Sequence, residues 1–388
     1  MPSPIRGFAL AFLLATATAC PAQGTSSDLG ERFRERLGDL FDPEDGQLDM
    51  SVVLERAHGF LPIPIVVTEP AVGYGGGLAA MFVRPRHEAG SEGFARPDIS
   101  VVGAIVTENG TKMLMAGDSS QWLDGRLKTL AGALAGDIRL DVYGLGTART
   151  DLDEPVRYTL DIKGAGGALD WKLAPGSPWS VGVRYVYADV EPKLRDDPIF
   201  PNLEDRIRTK ISGPGASLTY DSRDNLFTPT RGIYSETSLF MSDDTFGANR
   251  NFRRFAQTLI GWWPVASAVT FAARAGYQQS SHGAPFFVRP FIMMRGIPAM
   301  RYPGNKVAQA EVEARWQFHG RWSVVGFGGV GEARLHEDVK RSKSAGAGGI
   351  GFRYELARKF GMHVGIDVAR GPEDTAVYLQ IGNAWFRP

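Results

Sequence analysis

The sequence predicts an all-β, antiparallel transmembrane barrel of about sixteen strands, and three observations predict it. Segments of about 10 to 13 residues alternate apolar and polar side chains. That is longer than the five or six residues usual in soluble strands, and close to the roughly 9 to 11 a tilted strand needs to cross a bilayer. Trp179, Trp262, Trp263, Trp316, Trp322 and Trp385 fall at or near segment ends, where an aromatic girdle meets lipid headgroups. The faces opposite the apolar ones combine glycine with charge, as a crowded wet lumen requires. A soluble sandwich shares the alternation, with its apolar face as core; strand length and the tryptophans favour the barrel.

The alternation is sharp in several places. Trp179, Val181, Val183, Tyr185 and Tyr187 share a face. Ala308, Ala310, Val312, Ala314, Trp316 and Phe318 oppose Gln309, Glu311, Glu313, Arg315 and Gln317. Ile350, Phe352, Tyr354 and Leu356 oppose Gly349, Gly351, Arg353 and Glu355, and Val364, Ile366 and Val368 oppose Gly365 and Asp367. Strands are expected near 62–69, 72–84, 98–107, 111–119, 126–138, 156–173, 178–190, 210–221, 232–242, 251–263, 266–278, 306–318, 321–333, 344–357, 360–369 and 374–386. The number is even, as bacterial single-chain barrels require.

Composition bounds the rest. Lys plus Arg equals Asp plus Glu at 43 each, so no net field points to nucleic acid or acidic partners. A mean hydropathy of -0.16 is compatible with the barrel, because alternating faces average out. The single cysteine, Cys20, rules out an intramolecular disulfide or a cysteine metal cluster.

The N-terminus reads as a signal peptide over 1–19. Arg6 supplies the charge, Phe8 to Ala15 an apolar core too short to span a bilayer, and Ala17 to Ala19 the small residues of a cleavage site. Cys20 leaves a lipoprotein open, although the usual Leu three residues before it is missing; the other reading is a cysteine near the cleavage site. Residues 20–61 form a short periplasmic segment of helical character. Leu29, Phe33, Leu37 and Phe41 recur at helical spacing, and a second helix is expected from Met50 to Ala57. Asp42 to Gly46 reads as a solvated acidic turn, its glycine one position early for a calcium loop. The barrel occupies 62–388.

Three local motifs resemble the BamA/TamA superfamily of outer-membrane proteins, the bacterial surface-antigen barrels. Tyr220 to Asp224, with Asp221, Arg223 and Asp224, followed by Thr228 to Gly232, resembles that family's mid-barrel signature. Met294-Arg295-Gly296-Ile297 resembles the tip of the long loop that folds back into the lumen. Gln380 to Trp385, with Gly382 and Trp385, resembles a C-terminal assembly signal. The resemblance covers roughly 62 to 388. It implies an outer-membrane location, contact with outer-membrane lipid, a possible periplasmic partner protein, and a role in translocation or assembly of some substrate. Two departures stand out. Gly329 occupies a position where the family usually has an Asp, the customary partner of the loop Arg. Residues 20–61 are too few for one polypeptide-transport (POTRA) domain, so insertase activity does not carry over simply.

The loop itself has a physical reading. Residues 279–305 are long for a hairpin and unusually apolar, with Phe286, Phe287, Val288, Phe291, Ile292, Met293 and Met294, so docking into the lumen is favoured over exposure to water. Docking carries Arg295 and Gly296 to the inner wall, where Glu311, Glu313 and Asp367 are the candidate carboxylate partners. Such a pair either holds the barrel's shape or gates transport.

No catalytic signature competes. The six histidines stand at 58, 87, 282, 319, 336 and 363, without a Gly-x-Ser-x-Gly elbow or a His-Glu-x-x-His helix. The sequence therefore predicts neither an enzyme nor a cofactor, an outer-membrane hydrolase being the weakest reading. Translocation stands first and a passive diffusion channel or structural barrel second. Substrate and oligomeric state have no sequence signal.

Overall fold

The computed structural model describes residues 40–55, 59–84, 98–142, 156–195, 208–335 and 341–385. Within them the chain forms β1 (Gly59–Val67), β2 (Gly75–Arg84), β3 (Asp98–Thr107), β4 (Lys112–Trp122), β5 (Leu127–Val142), β6 (Val156–Lys172), β7 (Trp179–Leu194) and β8 (Thr209–Asp221). The second half comprises β9 (Gly232–Ser242), β10 (Phe252–Ala266), β11 (Val269–Ser280), β12 (Lys306–His319), β13 (Trp322–Leu335), β14 (Arg341–Ala357), β15 (Met362–Arg370) and β16 (Thr375–Ile381). All sixteen pair in sequence order in one sheet, each antiparallel to the next, so every strand but the first and last has two ladder partners. The order begins at β1 and ends at β16, and among the described residues no ladder joins those two. The barrel is nearly closed, with a seam there.

The expected strands recur within a few residues, because period-two alternation survives wherever one face meets lipid and the other the lumen. Outward side chains are large and apolar: Leu114, Val183, Val330 and Ile350 are all exposed, as are Trp179, Trp263 and Trp316. Two of the expected girdle tryptophans turn the other way. Trp262 and Trp385 are buried inside, packed with Tyr234, Ile260 and Ala272. In the Trp262–Trp263 pair, neighbouring residues must take opposite faces, and register assigns the inner one to Trp262.

The C-terminal strand is shorter than expected. Gly382 takes a positive φ of 75°, which only glycine adopts without strain, and its N–H donates to the His363 carbonyl. The chain thus leaves the wall after Ile381 and bends inward, delivering Trp385 to the lumen.

The signal peptide, Cys20 and nearly all of the helix expected around Leu29 to Phe41 lie outside the described residues. Phe41 itself sits in a β-bridge with Leu48, a small turn rather than a helix end. The second expected helix is a single turn, α1 (Ser51–Glu55), its start fixed by the Asp49 carboxylate accepting from the Ser51 N–H at 2.6 Å.

Candidate functional site

Residues 281–305, between β11 and β12, dock into the lumen. Ile292, Met294, Ile297 and Tyr302 pack with Val307, Ala333 and Ala345 of the wall, while Phe286 and Met300 pack with Tyr158, Leu160 and Val190 on the far side. Burial of these side chains, each worth about 1.5–3 kcal/mol, holds a segment that has little regular structure of its own. A tight turn from Met294 to Ile297 forms the tip, and Gly296 adopts a φ of 88° there.

The tip presents Arg295. Its Nη2 lies 2.6 Å from Glu313 Oε2 and its Nη1 2.7 Å from Asp367 Oδ2, and the guanidinium stacks 3.5 Å above the Phe327 ring. Asp367 is wholly buried and also takes both terminal nitrogens of Arg353, at 2.5 and 2.9 Å. One carboxylate thus lies between two guanidiniums, which satisfies charges that would be expensive to bury singly.

Glu311 is placed elsewhere. Strand register sets it opposite Arg274, and the two pair at 2.6 Å in a buried site. Arg274 also donates to the Met293 carbonyl, and Gln309 bonds both the N–H and the carbonyl of Met293, at 2.9 and 3.2 Å. Glu311 is therefore not a partner of Arg295 but part of a second clamp on the loop's backbone. Gly329 faces this clamp. A Cβ there would lie 2.6 Å from the Glu311 side chain and 3.0 Å from the Met294 sulfur, so the space for an Asp is taken.

Further contacts tie the loop to both edges of the sheet. The Gly296 N–H donates to the Tyr378 hydroxyl of β16 at 3.0 Å, and the Ala299 N–H donates to the carboxylate of Glu69, just past β1, also at 3.0 Å. Arg301 and Tyr302 both bond Glu373, between β15 and β16. Tyr378, Glu69, Glu373, Arg274 and Arg353 escaped sequence reasoning. The inward parity of Arg353 was readable, but no partner can be assigned without register.

The mid-barrel motif shapes the turn from β8 to β9. Arg223 pairs with Asp221 at 2.7 Å and lies over the Tyr234 ring; Asp224 accepts from the Thr230 and Arg231 backbone; Gly232, at a φ of 114°, passes so close to the Ser222 carbonyl that a Cβ would sit 2.3 Å from it. Asn225 donates to the Phe360 carbonyl, and the Phe227 carbonyl accepts from both the backbone and side chain of Asn383. This turn is therefore where the β14–β15 connection and the inward-bent C-terminal residues Gly382 to Trp385 meet. His363, beside it, is buried, with Nδ1 3.2 Å from the Thr228 hydroxyl.

Asp42 to Gly46 form the expected turn, exposed over Pro43 to Gly46, but its acids are also anchored to the barrel. Asp42, Asp45 and Asp49 surround Arg321, in the β12–β13 turn, at 2.5, 2.7 and 2.7 Å, and Arg321 is fully buried. Arg358 adds a second cation to Asp42 and Glu44. The hydrogen bond from Arg321 holds the Asp45 carboxyl below its ordinary value. Burial pushes Asp49 the other way, but bonds from Ser51 and Arg321 outweigh it and the net shift is also downward. No local signal in the sequence links these acids to an arginine more than 270 residues away.

The Omp85 superfamily domain matches residues 126–291. BamA from Haemophilus ducreyi lacking POTRA domains 1-3 superposes with a TM-score of 0.55 at 11% identity, over 82% of this chain and 68% of that one. CdiB from Escherichia coli gives 0.60 at 14% identity over 82% of this chain, and CdiB from Acinetobacter baumannii 0.56 at 12% over 83%. The chain spans 61% and 59% of those two CdiB chains. No curated protein matches. Residues 126–291 thus match the Omp85 superfamily domain, and the sixteen-stranded barrel around them has the fold of BamA and CdiB.

Proposed function

We propose that this chain is an outer-membrane barrel that takes part in translocating or assembling a substrate at that membrane, with Arg295 as the residue that pins the lumenal loop and with no catalytic chemistry of its own. The observation that carries the reading is the docked loop 281–305, whose tip is fixed by the Arg295–Glu313–Asp367 contacts and which, through Gly296 and Ala299, bonds both edges of an unladdered seam. A loop held by buried ionic contacts is two-state in character, in or out, which suits gated passage better than steady diffusion. The end carrying residue 40 and residue 385 faces the periplasm in this reading, and the acid-and-arginine surface there is the place for a periplasmic partner.

The test is conductance of the folded mature chain in planar bilayers. The wild type should conduct weakly and with flicker, and deletion of 283–303 should open a larger, steadier pore. Large steady conductance in the wild type would favour a passive channel instead.

A further inference from the structure

The lumen has two unlike walls. Under the loop, β12 to β15 present Gln309, Glu311, Glu313, Arg315, Arg353 and Asp367. Across from them, the inner face of β1 to β5 is apolar. Register carries this face strand by strand: Leu61 stands opposite Met81, Ile63 opposite Ala79, Ala79 opposite Gly103, Gly103 opposite Met115, and Met115 opposite Leu134. Leu130 and Leu134 share their face with Ile138, which packs against the inner cluster that Tyr158, Leu160 and Val190 form with Phe286 and Met300 of the loop, so the whole row points inward. Yet Leu130 is 50% exposed and Leu134 37%. The outer face of the same strands is apolar too, with Leu78, Phe82, Val102 and Leu114 exposed. This stretch of wall is apolar on both sides.

We infer that the inner face of β1 to β5 binds an acyl chain of an anionic phospholipid taken from the surrounding bilayer. Three features select that occupant. First, among the described residues the wall ends at the edge of β1 with no ladder to β16, so its inner surface meets the lipid-facing surface at the seam. Second, the face offers almost no hydrogen-bonding side chains between Gln121 and the loop. An extended polypeptide laid on it would leave backbone groups unpaired, whereas an acyl chain has none to satisfy. Third, the base of the wall is cationic. Lys128 and Lys172 lie on the inner face where β5 begins and β6 ends, with the carboxylate of Asp170 opposite Lys128 and the Arg184–Glu236 pair beyond it. From Lys128 to Leu134 is six residues, about 20 Å along a strand and nearer 15 Å in height once tilted, close to half of a hydrocarbon core of roughly 30 Å. A headgroup phosphate at the lysines therefore lets a single chain reach Leu134.

The inference depends on the proposed function only for placing the barrel in a bilayer; lipid on the wall needs no movement of the loop. The test uses the folded mature chain in vesicles of phosphatidylglycerol bearing a diazirine in the acyl chain, with labelled residues mapped after irradiation. Label is expected on Met115, Leu130 and Leu134 as well as on the outer Val102 and Leu114. Leu130→Gln with Leu134→Gln should lower the inner label at least fivefold while the outer label and heat-modifiable folding are unchanged. Lys128→Gln with Lys172→Gln should lower it severalfold for phosphatidylglycerol and little for phosphatidylcholine. Label confined to the outer residues overturns the inference. So does a photo-crosslinker at position 134 that captures residues 20–39 of the chain in place of lipid. Failure of the translocation reading would show in the conductance experiment and leave this result standing.

Discussion

Arg295 Nη1 lies 2.7 Å from Asp367 Oδ2, joining the loop tip to a strand 72 residues further along the chain. Asp367 is fully buried and Arg353 holds its other side, so the loop's position is read out by one carboxylate shared between two cations. Removing the loop's contribution leaves Glu313 without its partner while Asp367 keeps Arg353.

Arg295→Ala should therefore free the loop and destabilise the barrel by about 3–5 kcal/mol, the usual result of breaking a buried pair. Limited proteolysis within 281–305 and the temperature of the heat-modifiable gel shift both report it. Arg295→Lys keeps the charge but loses the fork and the stacking on Phe327, so it should fall between. A loop as resistant in Arg295→Ala as in the wild type would sink the pinning role.

Gly329→Asp, which restores the residue the family resemblance leads one to expect, should weaken the fold rather than strengthen it. The new side chain meets Glu311 and Met294, and it adds a carboxylate beside the Arg274–Glu311 pair. A lower unfolding temperature is expected; a higher one would mean the loop can repack around an Asp.

The acid clamp on Arg321 should be sensitive to acid. Asp45 and Asp49 titrate below their ordinary value near 3.8 in the folded chain. Their contribution is therefore complete above that value and is lost as pH falls through the lowered folded values. The protection of residues 40–55, read as amide exchange relative to the intrinsic rate at each pH, should be high at neutral pH and give way to fast relative exchange as the pH falls through the lowered folded values. Arg321→Ala should give the fast pattern already at pH 7, leaving the sheet protected.

Trp385→Ala should cost about 3–5 kcal/mol, because the ring fills space between Tyr234, Ile260 and Trp262 inside the barrel. Trp316→Ala, on the lipid-facing side, should cost less. Equal effects on the gel-shift temperature would contradict the inward placement of Trp385.

Strands were legible because a lipid-facing wall enforces strict alternation, and β3, β9 and β12 begin and end within a residue or so of where the pattern places them. What the pattern could not supply was sidedness within adjacent aromatics and register across long connections. Trp262 and Trp263 are equivalent on paper. Arg274 meets Glu311 only because β11 and β12 pair at that offset, and a connection of 25 residues does not fix an offset. The Arg321 clamp unites the first described residues with a turn near the other end of the chain. No periodicity records such a contact. The apolar inner wall was missed for a different reason: a lumen was expected to be polar throughout, and the inner residues of β4 and β5 were averaged into that expectation.

The loop's bonds to Tyr378 and Glu69 make it a clasp across the gap in the cylinder. A ladder along that gap would have to come apart as a zipper, many backbone bonds acting together. A clasp needs only a few bonds of about 0.5–1.5 kcal/mol each to let go. Mechanical load on either edge is therefore transmitted to the Met294–Ile297 turn, and any outward pull on that turn slackens both edges. The circumference of the barrel and the position of its plug are tied together through those bonds.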